Sequence, residues 1–298
     1  RLPAGSGGGY VRNLAAAGTS MIVGAALRVV PFENTGVSPL LLGVRDTTGQ
    51  VAYTVRIAED GRLRLYRGEY ELLSTSVATA PARGWHYVEL QVVQGTSNGT
   101  LQVRLNGILA ITLSAQNTTQ GGGLLVTAFL GAVPGQACPL TLDVDDFYIA
   151  DTTGTINNSF LGDVRVDVLK PDGAGTHNQF TVTGAPTAWQ ACADDDEATF
   201  VTSTALAQRQ TFSVQNLPVM ATPAIHGVQV TVLARKTDAG NVLYKALALS
   251  GASLGTATAN PLTEQLAWQT ALFERNPNGN VQWTESAVNA AEFGLESA

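Results

Sequence analysis

Short segments in which apolar and polar residues alternate recur about every 8 to 14 residues along most of this chain, with Gly, Asn, Asp and Pro between them. A period of two puts every second side chain on the same face of a strand, whereas a helix needs a period of about 3.6. The segments 85–93 and 101–105 show the alternation clearly. The pattern predicts antiparallel sheets and argues against a helical bundle.

Two dipeptides predict tight turns between these segments. Asn106-Gly107 separates two apolar runs, and both residues tolerate positive φ, as a two-residue hairpin requires. Asp60-Gly61 predicts a turn between 51–57 and 63–67 for the same reason. These turns favour strands that are sequential neighbours in one sheet.

The chain has 298 residues, enough for two cores of ordinary size. Turn-forming residues with almost no apolar bulk occupy 152–158, which predicts a linker. We therefore predict an all-β protein with two consecutive antiparallel sandwiches, residues 1–151 and 159–298. In the first half strands are expected at 21–31, 40–45, 51–57, 63–67, 71–77, 85–93, 101–105, 109–113, 124–130 and 140–150. In the second half they are expected at 164–169, 198–201, 210–214, 225–234, 243–249, 266–273 and 293–296.

The second sandwich is also predicted to contain one short helix after residue 283. Thr284 is a suitable N-cap, and Glu285 suits the positive end of the helix dipole. Ala287, Val288 and Ala291 would then face the sandwich.

Composition narrows the class of protein. Only 14% of the residues are charged, the net charge is -7, and Lys and Arg form no cluster, so we expect binding neither to nucleic acid nor to an anionic membrane surface. No run of about 18 apolar residues occurs, so we also expect no insertion into a membrane. A polar but weakly charged surface is common in extracellular and virion β proteins. The two cysteines, Cys138 and Cys192, are too few for a disulfide scaffold, and we expect free buried thiols, with a bridge between them as the alternative.

Three runs of the first half carry a family resemblance. They are Trp85-His86-Tyr87-Val88-Glu89-Leu90, the run 99–107, and the run 142–151 with its Asp145-Asp146 pair before Phe147. Together they resemble the laminin G-like, concanavalin A-like jelly rolls over about a third of the chain. The resemblance implies a jelly roll for the first sandwich, a fold that serves lectins, glycanases, adhesion modules and virion proteins alike.

Two longer runs, 145–166 and 283–294, look like parts of tailed-phage structural proteins. In such proteins a lectin-like jelly roll precedes a second β-sandwich on the virion surface. The resemblance implies a place on the tail or as a head decoration or fibre, with other virion proteins and further copies of the chain as partners. Host-surface glycan is the expected external ligand.

Exposed aromatic side chains are the candidate sugar contacts, because sugars stack on rings that polar residues surround. Trp189 lies in a predicted loop, and Tyr66 and Tyr70 bracket a short turn. These three are the predicted ligand-binding residues. Trp85 and Trp268 fall within apolar strand patterns and are expected in the core.

The acidic runs offer two further interpretations. Asp143 and Asp145 should share a strand face, with Asp146 on the opposite one, whereas a retaining glycanase of this fold would need acids at alternate positions of one strand, including Glu. Calcium is the one candidate cofactor, because carboxylates suit it, and solvated loops are the alternative. The candidate calcium ligands are Asp194, Asp195, Asp196, Asp145 and Asp146.

No Gly-x-Ser-x-Gly elbow, phosphate loop or zinc-type His pair occurs, and the three histidines lie far apart in sequence. The leading hypothesis is therefore a non-enzymatic virion structural protein. A secreted carbohydrate-binding or adhesion module is the alternative, and a glycan hydrolase using Asp143 or Asp145 is the third.

Overall fold

The computed structural model describes residues 9–29, 38–81, 83–119, 122–136, 141–194, 196–219 and 224–298. The chain is all-β with antiparallel sheets, which confirms the predicted fold class. It divides into two compact units, Arg1–Val166 and Asp167–Ala298. The division falls after the predicted linker at 152–158, because the chain that follows the last strand of unit 1 packs onto that unit.

Unit 1 is a sandwich of two sheets. The back sheet has six strands in the order β1-β10-β3-β4-β5-β6, and the front sheet has five in the order β11-β2-β7-β8-β9. The strands are β1 Tyr10–Gly18, β2 Ser20–Val29, β3 Leu40–Asp46, β4 Val51–Ile57, β5 Arg62–Arg67, β6 Glu71–Thr79, β7 Trp85–Val93, β8 Gly99–Leu105, β9 Ile108–Gln116, β10 Leu125–Leu130 and β11 Leu142–Ala150.

One apolar core lies between the two sheets. Alternate residues of each strand supply it, as the period of two requires. Its members include Met21, Val23 and Leu90 from the front sheet and Val55 and Leu65 from the back sheet, all fully buried. The burial of one such side chain is worth about 1.5–3 kcal/mol.

The predicted turns are confirmed. Asn106 and Gly107 have φ values of 51° and 76°, and Leu105 pairs with Ile108 across them. Gly61 has a φ of 79° between β4 and β5. All ten predicted strands of the first half correspond to strands in the described residues, whereas β1 had not been predicted.

Unit 2 has a six-stranded main sheet in the order β12-β15-β21-β17-β18, with β19 paired to β17, and two ribbons, β13-β14 and β16-β20. Its strands are β12 Pro171–Asn178, β13 Thr181–Thr183, β14 Phe200–Thr202, β15 Arg209–Val214, β16 Val228–Ala234, β17 Leu243–Ser250, β18 Ser253–Thr256, β19 Asn260–Pro261, β20 Ala267–Phe273 and β21 Glu292–Ser297. Its helices are α1 Ala188–Ala193 and α2 Glu285–Asn289.

The core of unit 2 joins the main sheet to one face of the β16-β20 ribbon. Trp283 lies at its centre, where its Nε1 donates to the carbonyl oxygen of Phe273 at 2.9 Å and its ring lies 6.0 Å from that of Phe293. Val288 and Ala291 are buried in the same core. They lie within or just after α2, so the prediction of a helix whose apolar residues face the sandwich is confirmed.

Two predictions about the second half of the chain were wrong. The prediction of one helix missed α1, which begins after Thr187, whose side chain accepts a hydrogen bond from the Gln190 N–H. Residues 164–169 form no strand, although their apolar residues alternate. Their backbone instead makes contacts such as the hydrogen bond from the Val166 N–H to Asp146.

Glu296 on β21 makes the stability of unit 2 depend on acid pH. Arg209 Nε donates to it at 2.6 Å and Lys245 Nζ at 3.0 Å, and the bond from Arg209 is the main reason why the pKa of Glu296 lies below its usual value. A lowered folded-state pKa stabilises the fold above the unfolded pKa, about 4.3, and this stabilisation is lost as the pH falls through the folded value.

We therefore expect Glu296→Gln to destabilise unit 2 by about 1–2 kcal/mol at pH 7 and by much less at pH 3. Urea unfolding at both pH values measures the difference. Glu264→Gln, a change of the same type at an exposed residue outside the strands, is the control. A pH-independent effect of Glu296→Gln would contradict the prediction.

No helix among the described residues is both long and apolar enough to cross a membrane. Cys192 is a free cysteine, and burial raises its pKa to about 11, so the thiol stays protonated at neutral pH. Cys138 lies outside the described residues.

Candidate functional site

One row of residues crosses four strands on the outer face of the front sheet. Tyr148 of β11 pairs with Gly24 of β2, Gly24 with Glu89 of β7, and Glu89 with Arg104 of β8. Gly24 has no side chain, and a Cβ there would collide with the ring of Tyr148. The tyrosine therefore reaches across β2, and its hydroxyl donates to Glu89 Oε1 at 2.5 Å.

A segment of the same chain, residues 160–166, lies over this row, and we call it the strap. The Gly162 N–H donates to Glu89 Oε1 at 3.0 Å, and the Leu161 N–H donates to the Tyr148 hydroxyl at 3.1 Å. The ring of Phe160 lies 4.3 Å from the Arg104 guanidinium carbon. Glu89 is consequently 0% exposed, on a sheet face that would otherwise meet solvent.

Burial controls the protonation of the two tyrosines under the strap. It raises the pKa of Tyr148, and the hydrogen bond to Glu89 raises it further. It also raises the pKa of Tyr87, with the charge of Glu89 as the next cause. Both hydroxyls therefore remain protonated at neutral pH. Tyr148 can donate to Glu89, and Tyr87 donates to the carbonyl oxygen of Asp146 at 2.8 Å.

The position of Tyr148 depends on an irregularity in β11. The register shifts between Asp145 and Tyr148, and Asp146 has a φ of 50°. An inserted residue of this kind reverses which side chains face the core. Phe147 and Ile149 consequently pack against the core, while Tyr148 lies on the outer face.

The three predicted acids of β11 differ in burial and in hydrogen-bond partners. Asp143 is buried and receives two hydrogen bonds from Arg28, at 2.6 and 2.8 Å, and Asp145 is exposed. Asp146 was predicted to point away from the face that these two share. Its Oδ1 instead accepts a hydrogen bond from the strap residue Val166 at 2.8 Å, so that prediction was wrong because of the irregularity at this residue.

The acidic run of unit 2 forms local turns. Asp194 Oδ1 accepts from the Thr199 hydroxyl at 2.7 Å, and Asp196 Oδ1 accepts from the Ala198 N–H at 2.9 Å. Asp195 lies outside the described residues. Among the residues that are described, no group of three or more His, Cys, Asp or Glu side chains is arranged to hold a metal ion.

The structure places the tryptophans differently from the prediction. Trp189 lies on α1 and is half-buried, not on an open loop. Trp85 is 47% exposed and lies beneath the Arg28 guanidinium, 5.0 Å from it. Trp268 is 68% exposed on the outer face of the β16-β20 ribbon, so the expectation that both strand tryptophans are core residues was wrong.

Tyr66 and Tyr70 lie on the back sheet and the turn after β5. Tyr66 is half-buried on the outer face, with the Arg56 guanidinium carbon 5.5 Å from its ring centre. Tyr70 is 84% exposed. Of the three predicted aromatic contacts, these two belong to one unit, whereas Trp189 belongs to the other.

The row under the strap includes residues that were not predicted as site residues. Glu89 and Arg104 belong to strands whose alternation puts polar side chains on one face, and that alternation was the available signal. It does not reveal that a later segment covers the face. The sequence also gave no sign that Tyr148, not Phe147, would lie beside Glu89.

Several solved structures are distantly similar to the chain. Neither a protein-family model nor a curated protein matches the chain. A heptameric SAP-like pentraxin from Limulus polyphemus is 11% identical, with a TM-score of 0.37, covering 50% of this chain and 73% of that one. The carbohydrate-binding module CBM66 from Bacillus subtilis is 10% identical, with a TM-score of 0.34, covering 49% and 84%.

The CBM40 module of a Ruminococcus gnavus sialidase, bound to sialyllactose, is 14% identical, with a TM-score of 0.33, covering 48% of this chain and 89% of that one. At such identities and TM-scores, the likeness says nothing about what this chain binds or does.

Proposed function

We propose that the chain is a non-enzymatic structural protein of a tailed-phage virion, carried on the tail or as a head decoration or fibre, and that unit 1 contacts host-surface glycan. The strap, which covers Glu89, is the observation that supports a non-enzymatic role. A glycan hydrolase needs two carboxyl groups that a bound sugar can reach. Here Glu89 is buried beneath Gly162 and Asp143 is held by Arg28, so Asp145 is the one acid of β11 that is exposed.

The place on the virion is supported by the sequence runs 145–166 and 283–294. The first run contains the irregularity of β11 and the strap, so the residues that carry the resemblance also close the front sheet of unit 1. On a particle the chain would act as one of several symmetric copies, beside other virion proteins, and it would need no cofactor.

Mass spectrometry and immunogold microscopy of purified virions of the phage that encodes the chain test its place on the particle. We expect the chain in the particle and antibody label at its surface. Absence of the chain from purified particles would overturn the virion assignment.

Glycan contact is assigned to the outer face of the back sheet and the adjoining turn, where Tyr66 and Tyr70 lie. The aromatic ring of each tyrosine offers an apolar surface on which the apolar face of a sugar can stack. We expect the intact chain to bind members of a glycan array, and Tyr70→Ala or Tyr66→Ala to weaken binding about tenfold. Tyr66→Phe keeps the ring and should bind like the parent. Equal binding by all four proteins would remove these tyrosines as the contact.

A further inference from the structure

Two arginines stand directly opposite each other on the outer face of the back sheet. Arg56 of β4 pairs with Arg64 of β5, and the next residue on the same face of β5 is Tyr66. Like charges at directly opposed positions destabilise a sheet. The pair of positive charges therefore lowers the stability of the sheet unless a negatively charged group lies beside it.

Within the described part of the chain, no carboxylate pairs with either arginine. Arg56 Nη1 donates to the carbonyl oxygen of Ser38 at 3.2 Å, and Arg64 Nη1 donates to the Ser38 hydroxyl at 3.1 Å. The Nε atoms of both arginines are buried and make no hydrogen bond. Two guanidinium groups thus converge on one neutral residue.

Neighbouring arginines of the same strand are satisfied differently. Arg62 lies 3.5 Å from Asp60, and Arg67 lies 3.0 Å from Glu71. Arg56 and Arg64 therefore differ from these two arginines of β5, each of which has a carboxylate partner.

We infer that Arg56, Arg64 and Tyr66 form a subsite for a sugar that carries a carboxylate. This inference rests on the proposed glycan contact and names its class of ligand. A guanidinium presents planar donors that match a carboxylate, and an ion pair of this kind is stronger than a neutral hydrogen bond. The ring of Tyr66, which already lies beside Arg56, would take the apolar face of the same sugar.

Two tetrasaccharides test the subsite, one of β-1,4-linked glucuronic acid and one of β-1,4-linked glucose, which differ only in the carboxylates. Titration calorimetry with the full chain should show the acidic one binding at least about tenfold more tightly, with less difference at about 0.5 M salt. Arg56→Gln and Arg64→Gln should each reduce that affinity about tenfold. Arg56→Lys keeps the charge but loses the planar donors, and it should fall between Arg56→Gln and the parent.

Arg62→Gln, on the same strand but paired with Asp60, is the matched control and should bind like the parent. Melting temperatures of Arg56→Gln and Arg64→Gln should equal or exceed that of the parent, because each of these two changes relieves the like-charge pair. Their binding losses would then not reflect unfolding.

The subsite would be overturned if the two tetrasaccharides bound with equal affinity and neither Arg56→Gln nor Arg64→Gln changed it. The glycan contact would still stand in that case if the array showed binding of neutral glycans. Failure of the chain to bind any glycan, neutral or acidic, would overturn the glycan contact and the subsite together.

Discussion

Replacing Trp283 by alanine is expected to lower the free energy of unfolding of unit 2 by about 3–5 kcal/mol. Only 1% of this side chain is exposed, and it contacts the main sheet through Phe293 and the β16-β20 ribbon through Phe273. Alanine would leave a large cavity and a carbonyl oxygen without its indole donor. Urea unfolding, followed by hydrogen exchange of peptides from β15, β17 and β21, reports on unit 2 specifically.

Trp268→Ala is the matched control, since it removes the same side chain from a position that is 68% exposed. We expect a change within about 1 kcal/mol. Similar losses in the two variants would show that the β16-β20 ribbon buries Trp268 as well, and would contradict the assignment of its outer face.

Removing one hydroxyl by Tyr148→Phe is expected to destabilise unit 1 by about 2–4 kcal/mol and to loosen the strap. The buried carboxylate of Glu89 would keep only the Gly162 N–H as a partner at Oε1, and the Leu161 N–H would lose its acceptor. A charge deprived of donors inside a protein is costly, so the strap should open to let water reach it.

Trypsin digestion detects this opening, because trypsin cleaves after arginine and Arg165 lies in the strap. We expect cleavage after Arg165 to become faster in Tyr148→Phe together with the loss of stability in urea. Tyr66→Phe removes a hydroxyl from the back sheet and should leave both unchanged. A strap that stays protected in Tyr148→Phe at full stability would refute the role of this hydroxyl.

Ten of the eleven described strands of unit 1 could be predicted because their apolar residues share a face and most are bounded by turn residues. β12 could not, because Pro171–Asn178 has almost no apolar side chains and joins the sheet through backbone hydrogen bonds to β15. β1 was missed although it contains apolar residues, since these do not alternate cleanly with polar ones.

The side-chain orientation in β20 could not be predicted either. Trp268 and Leu272 occupy one face, and Ala271 and Phe273 the other, so both faces contain apolar residues. Alternation then identifies the strand without telling which face is buried. The structure buries the face of Phe273, where Trp283 finds its acceptor.

The candidate site was harder to predict than the fold, because it depends on pairs of residues that are distant in sequence. Glu89 and Gly162 are 73 positions apart, and no local pattern links them. Tyr66 was predicted from its type and its turn, whereas the opposition of Arg56 and Arg64 requires the register of β4 and β5.

The strap also extends unit 1 beyond its last strand, to Val166. A fragment that stops at Ala150, the end of the last strand, would leave Glu89 and the neighbouring outer face of the front sheet open to water. A gene fragment meant to encode unit 1 should therefore extend through the codon of Val166.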